Sequence, residues 1–369
     1  MSLDSHKRSL GHCTYCPKLC RFCCPAAEVE HRETVTPWGK MTLAEMVREG
    51  RVEPGGEAGE IFYHCFSCLH CRTHCTHRID VPGAMIEARA RVLESGGGPA
   101  AVDALLGKFQ DTGNTTGDDL SKLLLDQIEA KYLEPDAQAV LFFGCDALRY
   151  ESGLPKMIFD LLAELGVDYV AAHVGEDLCC GMPLYQAGDL EGFRAHAKKL
   201  QIALSRYRTI ISPCPTCVYT FLGLYAQYDL APKASVVHLS SFLGPLLAGK
   251  DPKKKLDGQY TYHDPCYLGR YLEKTKLPRE MLSRVLNQPL LEPVWTGQDA
   301  TCCGGGGLVP HVLPEAAKEA ANQRMTQLKQ TGAERIITAC PGCIHQLSEA
   351  KDPLPVDSLT SILLQTYCS

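Results

Sequence analysis

The sequence predicts an α+β chain, with a helical, cysteine-rich N-terminal segment followed by a duplicated α/β module on Rossmann-like parallel sheets. Three observations predict it. Nine of the twenty cysteines crowd into two short runs within the first hundred residues, where strand patterning is scant. From about residue 136, short apolar strands alternate with helical stretches, as expected of a parallel sheet with helices on its faces. The cysteines of that second region also recur at a near-constant interval. A chain of 369 residues with 45% hydrophobic composition is long enough for two or three compact units.

The first segment covers residues 1–100 and closes at Gly96-Gly97-Gly98-Pro99. Residues 101–135 read as a helical connector, carried by Leu120, Leu123, Leu124, Ile128 and Tyr132, with a polar loop from Asp111 to Asp119 inside it. Next come a strand over Ala139 to Phe143, a helix over Leu154 to Leu165 and a strand over Asp168 to Val174. A helix over Leu190 to Tyr207 and a strand over Thr209 to Ser212 follow. The pattern then repeats. Cys145, Cys179-Cys180, Cys214 and Cys217 return as Cys266, Cys302-Cys303, Cys340 and Cys343, at offsets of 121 to 126 residues. Both copies place glycine after the double cysteine, at Gly181 and Gly304, and both end in Cys-Pro-x-Cys. Apolar tails from Val236 and Pro355 close them, which makes residues 136–250 and 251–369 two copies of one half.

The formal charge of −6 comes without a basic stripe or aromatic–basic interleaving, which argues against nucleic acid. Lys253 to Lys255 reads as a solvated turn. The N-terminus, MSLDSHKRSL, lacks the apolar core of a secretory signal, and the longest apolar runs are far short of a transmembrane segment. A cytoplasmic protein is expected, peripheral to the inner membrane only through a partner. In that compartment twenty cysteines point to metal rather than to disulfides.

Spacing identifies the metal. The two runs are Cys13-x2-Cys16-x3-Cys20-x3-Cys24-Pro25 and Cys65-x2-Cys68-x2-Cys71-x3-Cys75. Two-cluster ferredoxins use such runs in pairs, three close thiolates wrapping one cluster while the fourth ligates the other. Two [4Fe–4S] clusters follow, one on Cys13, Cys16, Cys20 and Cys75, the other on Cys65, Cys68, Cys71 and Cys24. The x3 interval and Pro25 select Cys24 over Cys23, which is left spare. Zinc knuckles separate their cysteine pairs with a spacer, and these unbroken runs do not. His64, His70, His74 and His77 crowd the second run; because the thiolates suffice, they read as neighbours and not ligands.

In the duplicated region every cysteine falls just after a predicted strand, where parallel sheets place ligands. Five thiolates per half therefore converge: Cys145, Cys179, Cys180, Cys214 and Cys217, then Cys266, Cys302, Cys303, Cys340 and Cys343. Gly181 and the run Gly304 to Gly307 let backbone approach closely and donate N–H groups to cluster sulfurs. A phosphate loop is the competing reading of that run, but no GK[ST] follows. His263 and Arg270, in the stretch HDPCYLGR, read either as helpers of a substrate or proton or as local hydrogen-bonding residues, and neither is assigned a catalytic role.

The two ferredoxin-type runs with two CCG repeats, together with HDPCYLGR and CCGGGG, resemble the family of the D-type subunit of heterodisulfide reductase. That family includes the iron–sulfur subunits of glycolate oxidase and anaerobic glycerol-3-phosphate dehydrogenase. The resemblance spans nearly the whole chain. It implies a ferredoxin-like helical module and one or two further iron–sulfur clusters in the CCG module, of the non-cubane kind where all five cysteines are kept. Three departures stand out: the x3 gap between Cys16 and Cys20, Thr76 in place of proline after Cys75, and Trp38 within Thr36-Pro37-Trp38-Gly39-Lys40, where relatives carry a basic stretch. The chain has no G-x-G-x-x-G fingerprint, so the expectation is an electron-transfer subunit served by a flavoprotein dehydrogenase partner. A quinone, a disulfide or a protein would be the acceptor. The alternative is a thiol–disulfide reductase whose CCG clusters are the active site.

Overall fold

The computed structural model describes residues 3–133, 137–175 and 177–368. Among these, every regular element before Ala139 is helical. The α-helices are Lys7–Thr14, Pro25–Glu30, Pro37–Arg48, Gly56–Phe62, His70–Thr73, Val81–Glu94, Ala100–Thr112 and Leu120–Leu125. Polar caps set several starts. Thr36 Oγ1 accepts the Gly39 N–H at 3.0 Å, and Pro37 brings the fixed φ of a first turn. Asp80 and Asp119 cap Val81–Glu94 and Leu120–Leu125 in the same way. The predicted loop from Asp111 begins two residues late, after Thr112, and Asn114 closes it by accepting the Thr116 and Gly117 N–H groups. The expected boundary at 135/136 lies outside the described residues.

The first sheet is parallel, in the order β2-β1-β3-β4, with β1 Ala139–Leu141, β2 Val170–Ala172, β3 Thr209–Ser212 and β4 Ser235–His238. The strands predicted over 139–143 and 168–174 are shorter than expected, although Phe142 still donates its N–H to Ile211. The second sheet, β5 Tyr260–His263, β6 Arg335–Thr338 and β7 Val356–Ser358, is parallel in the order β5-β6-β7. It repeats β1-β3-β4 but has no counterpart of β2 among the described residues. Leu291 donates one rung to the Tyr260 carbonyl at 2.8 Å, and Pro293, with no N–H, is unable to continue the ladder.

A shared apolar core runs through both sheets, joining Val140, Phe142 and Ile210 to Tyr262, Leu282 and Ile362, and a smaller cluster around Ile336, Met325 and Leu328 belongs to the second half alone. The helices exchange partners across it. Leu154–Glu164, which follows β1, packs on Leu359–Tyr367, which follows β7. Leu239–Ala248, which follows β4, packs on Lys276–Val285, which follows β5. This reciprocity gives the halves a pseudo-two-fold relation and explains why neither closes its core alone.

Arg89, on Val81–Glu94 and wholly buried, ties the helical part to both halves. Its guanidinium donates to the carbonyls of Phe62 and Cys65, to Gln186 of the first half and to Gly307 of the second, at 2.6 to 3.1 Å. Arg89→Met leaves four buried carbonyls short of a donor. It is expected to lower stability by about 3–5 kcal/mol, read as a fall in the anaerobic melting temperature with the iron content unchanged in the folded fraction.

Candidate metal centres

The twenty cysteines are all free thiols. Helix ends and tight turns position the N-terminal ones: Cys13 in the last turn of Lys7–Thr14, Cys24 immediately before Pro25–Glu30, and Cys71 on His70–Thr73. Ser67 and Leu69 hold left-handed backbone at φ 50° and 60°, which winds the second run tightly. Two quartets result. Cys13, Cys16, Cys20 and Cys75 sit together, each partly exposed. Burial and then the neighbouring sulfurs push the Cys13 thiol up to about 12 and Cys20 up to about 11. Cys24, Cys65, Cys68 and Cys71 form the second quartet, deeper in the protein, and burial followed by the other three sulfurs raises Cys71 well above an ordinary thiol. Cys23 stands apart from the Cys24 role, its thiol donating to the Cys20 carbonyl at 3.1 Å.

Lys40 adjoins the second quartet. It is 1% exposed on Pro37–Arg48, and its ammonium donates to the His64 carbonyl at 3.2 Å. Burial disfavours its charge, yet Cys24, Cys65, Cys71 and Cys68 together hold its pKa above the usual value. A buried cation beside four thiols suits a donor set that gains negative charge on binding metal.

Each half of the duplicated region draws five cysteines into one file. In the first, hydrogen bonds link Cys145 to Cys179, Cys179 to Cys180, Cys180 to Cys217 and Cys217 to Cys214, and the Cys145 and Cys179 sulfurs lie 3.4 Å apart. In the second, Cys266, Cys302, Cys303, Cys343 and Cys340 follow in the same order, with Cys303 and Cys343 sulfurs 3.3 Å apart. In both files the middle cysteine is the acidic one. Hydrogen bonds from Cys179 and Cys217 hold Cys180 well below an ordinary thiol, and those from Cys302 and Cys343 do so for Cys303. The glycine after each pair is left-handed, at φ 81° in Gly181 and 93° in Gly304, and a Cβ at Gly304 would lie 2.4 Å from the Ala317 oxygen. The Gly304 N–H donates to Cys302 Sγ at 3.4 Å. One placement differs from expectation. Cys302 and Cys303 follow an irregular stretch, since the strand that would precede them is missing.

The halves are not equivalent. His263 occupies the place of Phe142 in the first half, and its ring lies with Cys303 and Cys343 in one buried group. Arg324 Nε donates to His263 Nδ1 at 3.1 Å, and burial lowers the histidine's pKa and keeps it neutral. Arg270, by contrast, is a structural tie, donating to the carbonyls of Cys68, Gln298 and Ala300. The first set opens on a cavity of about 100 Å³ lined by Cys145, Cys180, Cys214 and Cys217 together with Asp146 and Tyr267. Burial pushes the Asp146 carboxyl up to about 6. Neither the Asp146 environment nor the buried state of Lys40 carries a signal in the spacing of the sequence.

The second quartet meets the second half directly. Cys68 and Cys302 are hydrogen-bonded, which lowers the Cys68 pKa, and Gly306 and Gly307 lie against the Phe66 and Cys65 carbonyls, where a Cβ would come within 2.3 and 1.9 Å. Four sulfurs per quartet, five per file, no disulfide and buried counter-cations fit thiolate-held iron–sulfur clusters.

Comparison with known proteins agrees. The family model described as the CCG cysteine-rich domain matches residues 139–222 and 260–348. The chain is 28% identical over 348 residues to a B-type subunit of fumarate reductase (CoM/CoB) from Methanothermobacter marburgensis, covering 93% of this chain and 68% of that one. It is 27% identical to a D-type subunit of dihydromethanophenazine:CoB–CoM heterodisulfide reductase from Methanosarcina acetivorans, covering 79% and 74%. Among solved structures, a hypothetical protein from Helicobacter pylori aligns with a TM-score of 0.56 at 10% identity, over all of this chain and 76% of that one, a likeness of fold alone.

The geometry predicts spectroscopy. Cys75→Ser is expected to abolish the same EPR signal as Cys13→Ser and to spare the one that needs Cys65; loss of the Cys65-dependent signal would break the grouping. Lys40→Met removes a positive charge beside the second quartet. It is expected to lower the midpoint potential of the Cys65-dependent signal by tens of millivolts in a redox titration.

Proposed function

We propose, for a chain that carries the CCG cysteine-rich domain twice, that it is the iron–sulfur electron-transfer subunit of a multisubunit oxidoreductase. The observation that carries this reading is the continuity of sulfur donors. A partly exposed quartet leads to a buried one, the Cys68–Cys302 contact leads on to the second five-cysteine file, and the first file opens on a cavity. Iron–sulfur clusters bound at such donors supply one-electron redox chemistry. In the finer reading, Cys13, Cys16, Cys20 and Cys75 hold one [4Fe–4S] cluster and Cys24, Cys65, Cys68 and Cys71 another. The two files hold one or two further clusters of non-cubane type.

Graded exposure supports an order. Cys13, Cys16, Cys20 and Cys75 form the one donor set in which every member is partly exposed, and in this reading they face the partner, a flavoprotein dehydrogenase. The acceptor at the other end is a quinone, a disulfide or a protein. A helix long and apolar enough to cross a membrane is absent among the described residues, so in this reading any membrane contact is made through a partner. The ferredoxin-type segment at 1–100, the connector at 101–135 and the two copies from 136 and 251 are the corresponding domains.

A second reading, thiol–disulfide reduction on this chain itself, is favoured by the cavity over Cys145, Cys180, Cys214 and Cys217, which draws Tyr267, Gly305 and Gly306 from the other half. It is also favoured by the relative named for heterodisulfide reductase. Cleaving a disulfide takes two electrons and two protons and releases two thiols. The test supplies a disulfide to the anaerobic, chemically reduced holoprotein with no flavoprotein present. Electron transfer alone predicts no sustained thiol release; repeated turnover would replace it with the catalytic reading.

A further inference from the structure

The histidines of the second cysteine run converge with a residue more than two hundred positions away. His70 and His74 stand one turn apart at His70–Thr73, and their Nε2 atoms are 3.3 Å from each other. Asp299, from the turn Gly297–Asp299 of the second half, brings Oδ1 to 3.4 Å from His74 Nε2. All three ligand atoms lie within 4.8 Å of one another.

As hydrogen bonds these contacts are poor. A single N–H on His74 Nε2 satisfies one neighbour only, and both distances exceed the usual N–H···O or N–H···N range of about 2.7–3.2 Å. As edges of a coordination polyhedron they fit. An ion with tetrahedral bonds of about 2.0–2.1 Å separates its ligand atoms by about 3.3 Å. Two imidazole nitrogens and one carboxylate oxygen are the donors that a borderline divalent ion takes. Burial is graded across the site, with His70 at 1% exposure, His74 intermediate and Asp299 exposed, so the set opens outward. Trp295 stands edge-on to both rings, with centroids 6.2 and 6.4 Å away, and a cavity of about 190 Å³ adjoins His70 and Trp295.

We propose that His70, His74 and Asp299 bind one divalent cation of the zinc class at the seam between the second cysteine run and the second half. The ion is separate from the cysteine-held clusters. It would pin the seam where Cys68 meets Cys302, adding a link to the Arg270–Cys68 and Tyr271–Ser67 hydrogen bonds and the apolar packing of Phe66 with Val309 and Ala317.

The test uses the full chain, purified anaerobically with its iron and acid-labile sulfide in place, so that the cysteines are occupied. Zn²⁺ itself is the probe, in equilibrium dialysis followed by elemental analysis. The wild-type protein is expected to take up one zinc per chain without losing iron. His74→Ala and Asp299→Asn are each expected to weaken that uptake about tenfold or more, again with iron, sulfide and EPR signals unchanged. Asp299 is exposed, so its amide variant keeps the fold if His74→Ala does not. Equal zinc uptake by the wild type and Asp299→Asn would overturn the proposal, as would no uptake by the wild type.

Discussion

The guanidinium of Arg89 is the point on which three stretches of chain depend. A wholly buried arginine without a carboxylate partner is costly. Here the cost is offset by charge-assisted hydrogen bonds to Phe62, Cys65, Gln186 and Gly307. Each acceptor is a backbone carbonyl, two of them beside or within the second cysteine run, one in the glycine loop after Cys303 and one at the end of the Met182–Ala187 helix. The side chain therefore fixes the second cysteine run against the glycine loop of the second half and against the Met182–Ala187 helix of the first. Only glycine at 306 and 307 lets those backbones meet, since a Cβ at either would overlap the Phe66 or Cys65 carbonyl.

Buried cations recur around the cysteines. Lys40 lies beside the second quartet, Arg270 bonds the Cys68 carbonyl, and Arg324 supports His263 against Cys303. The physical reason is common to all three. Thiolates in a low-dielectric interior need compensating charge and donors, and fixed cations on packed helices provide both without bringing in water. The first quartet, which is partly exposed, is screened by solvent and has no such buried cation among the described residues.

Duplication produced two files of five cysteines in the same order but not two equal sites. Phe142 occupies in the first half the position from which His263 reaches Cys303 and Cys343 in the second, and the missing counterpart of β2 leaves the stretch before Cys302 free to fold onto the helical part. The first file borrows Tyr267 and Gly305 for its cavity instead. One half is thus joined to the N-terminal cysteines, and the other is open to a small ligand or partner.

Much of this was legible in the chain. The cysteine runs, the helical start and the parallel strands follow from cysteine spacing, capping residues and apolar period, which are properties of short segments, whereas the repeat of the second pattern suggests the two files. The first strand is shorter than its apolar run, because Phe142 and Phe143 continue past the regular ladder, and β2 is likewise shorter than 168–174. The duplication implies an equivalent of β2 in the second half, but only one rung forms there, from Leu291 to Tyr260, and Pro293 has no N–H to add the next. The chain alone dictates the two closely spaced cysteine runs, the recurrence of the second cysteine pattern and the alternation of strand and helix, because spacing, capping and apolar period are local. Only the tertiary structure decided that Cys302 meets Cys68, that Lys40 is buried against four thiols, and that His70, His74 and Asp299 come together. Those contacts join residues far apart in the chain, and they depend on how finished surfaces dock, which no local spacing encodes.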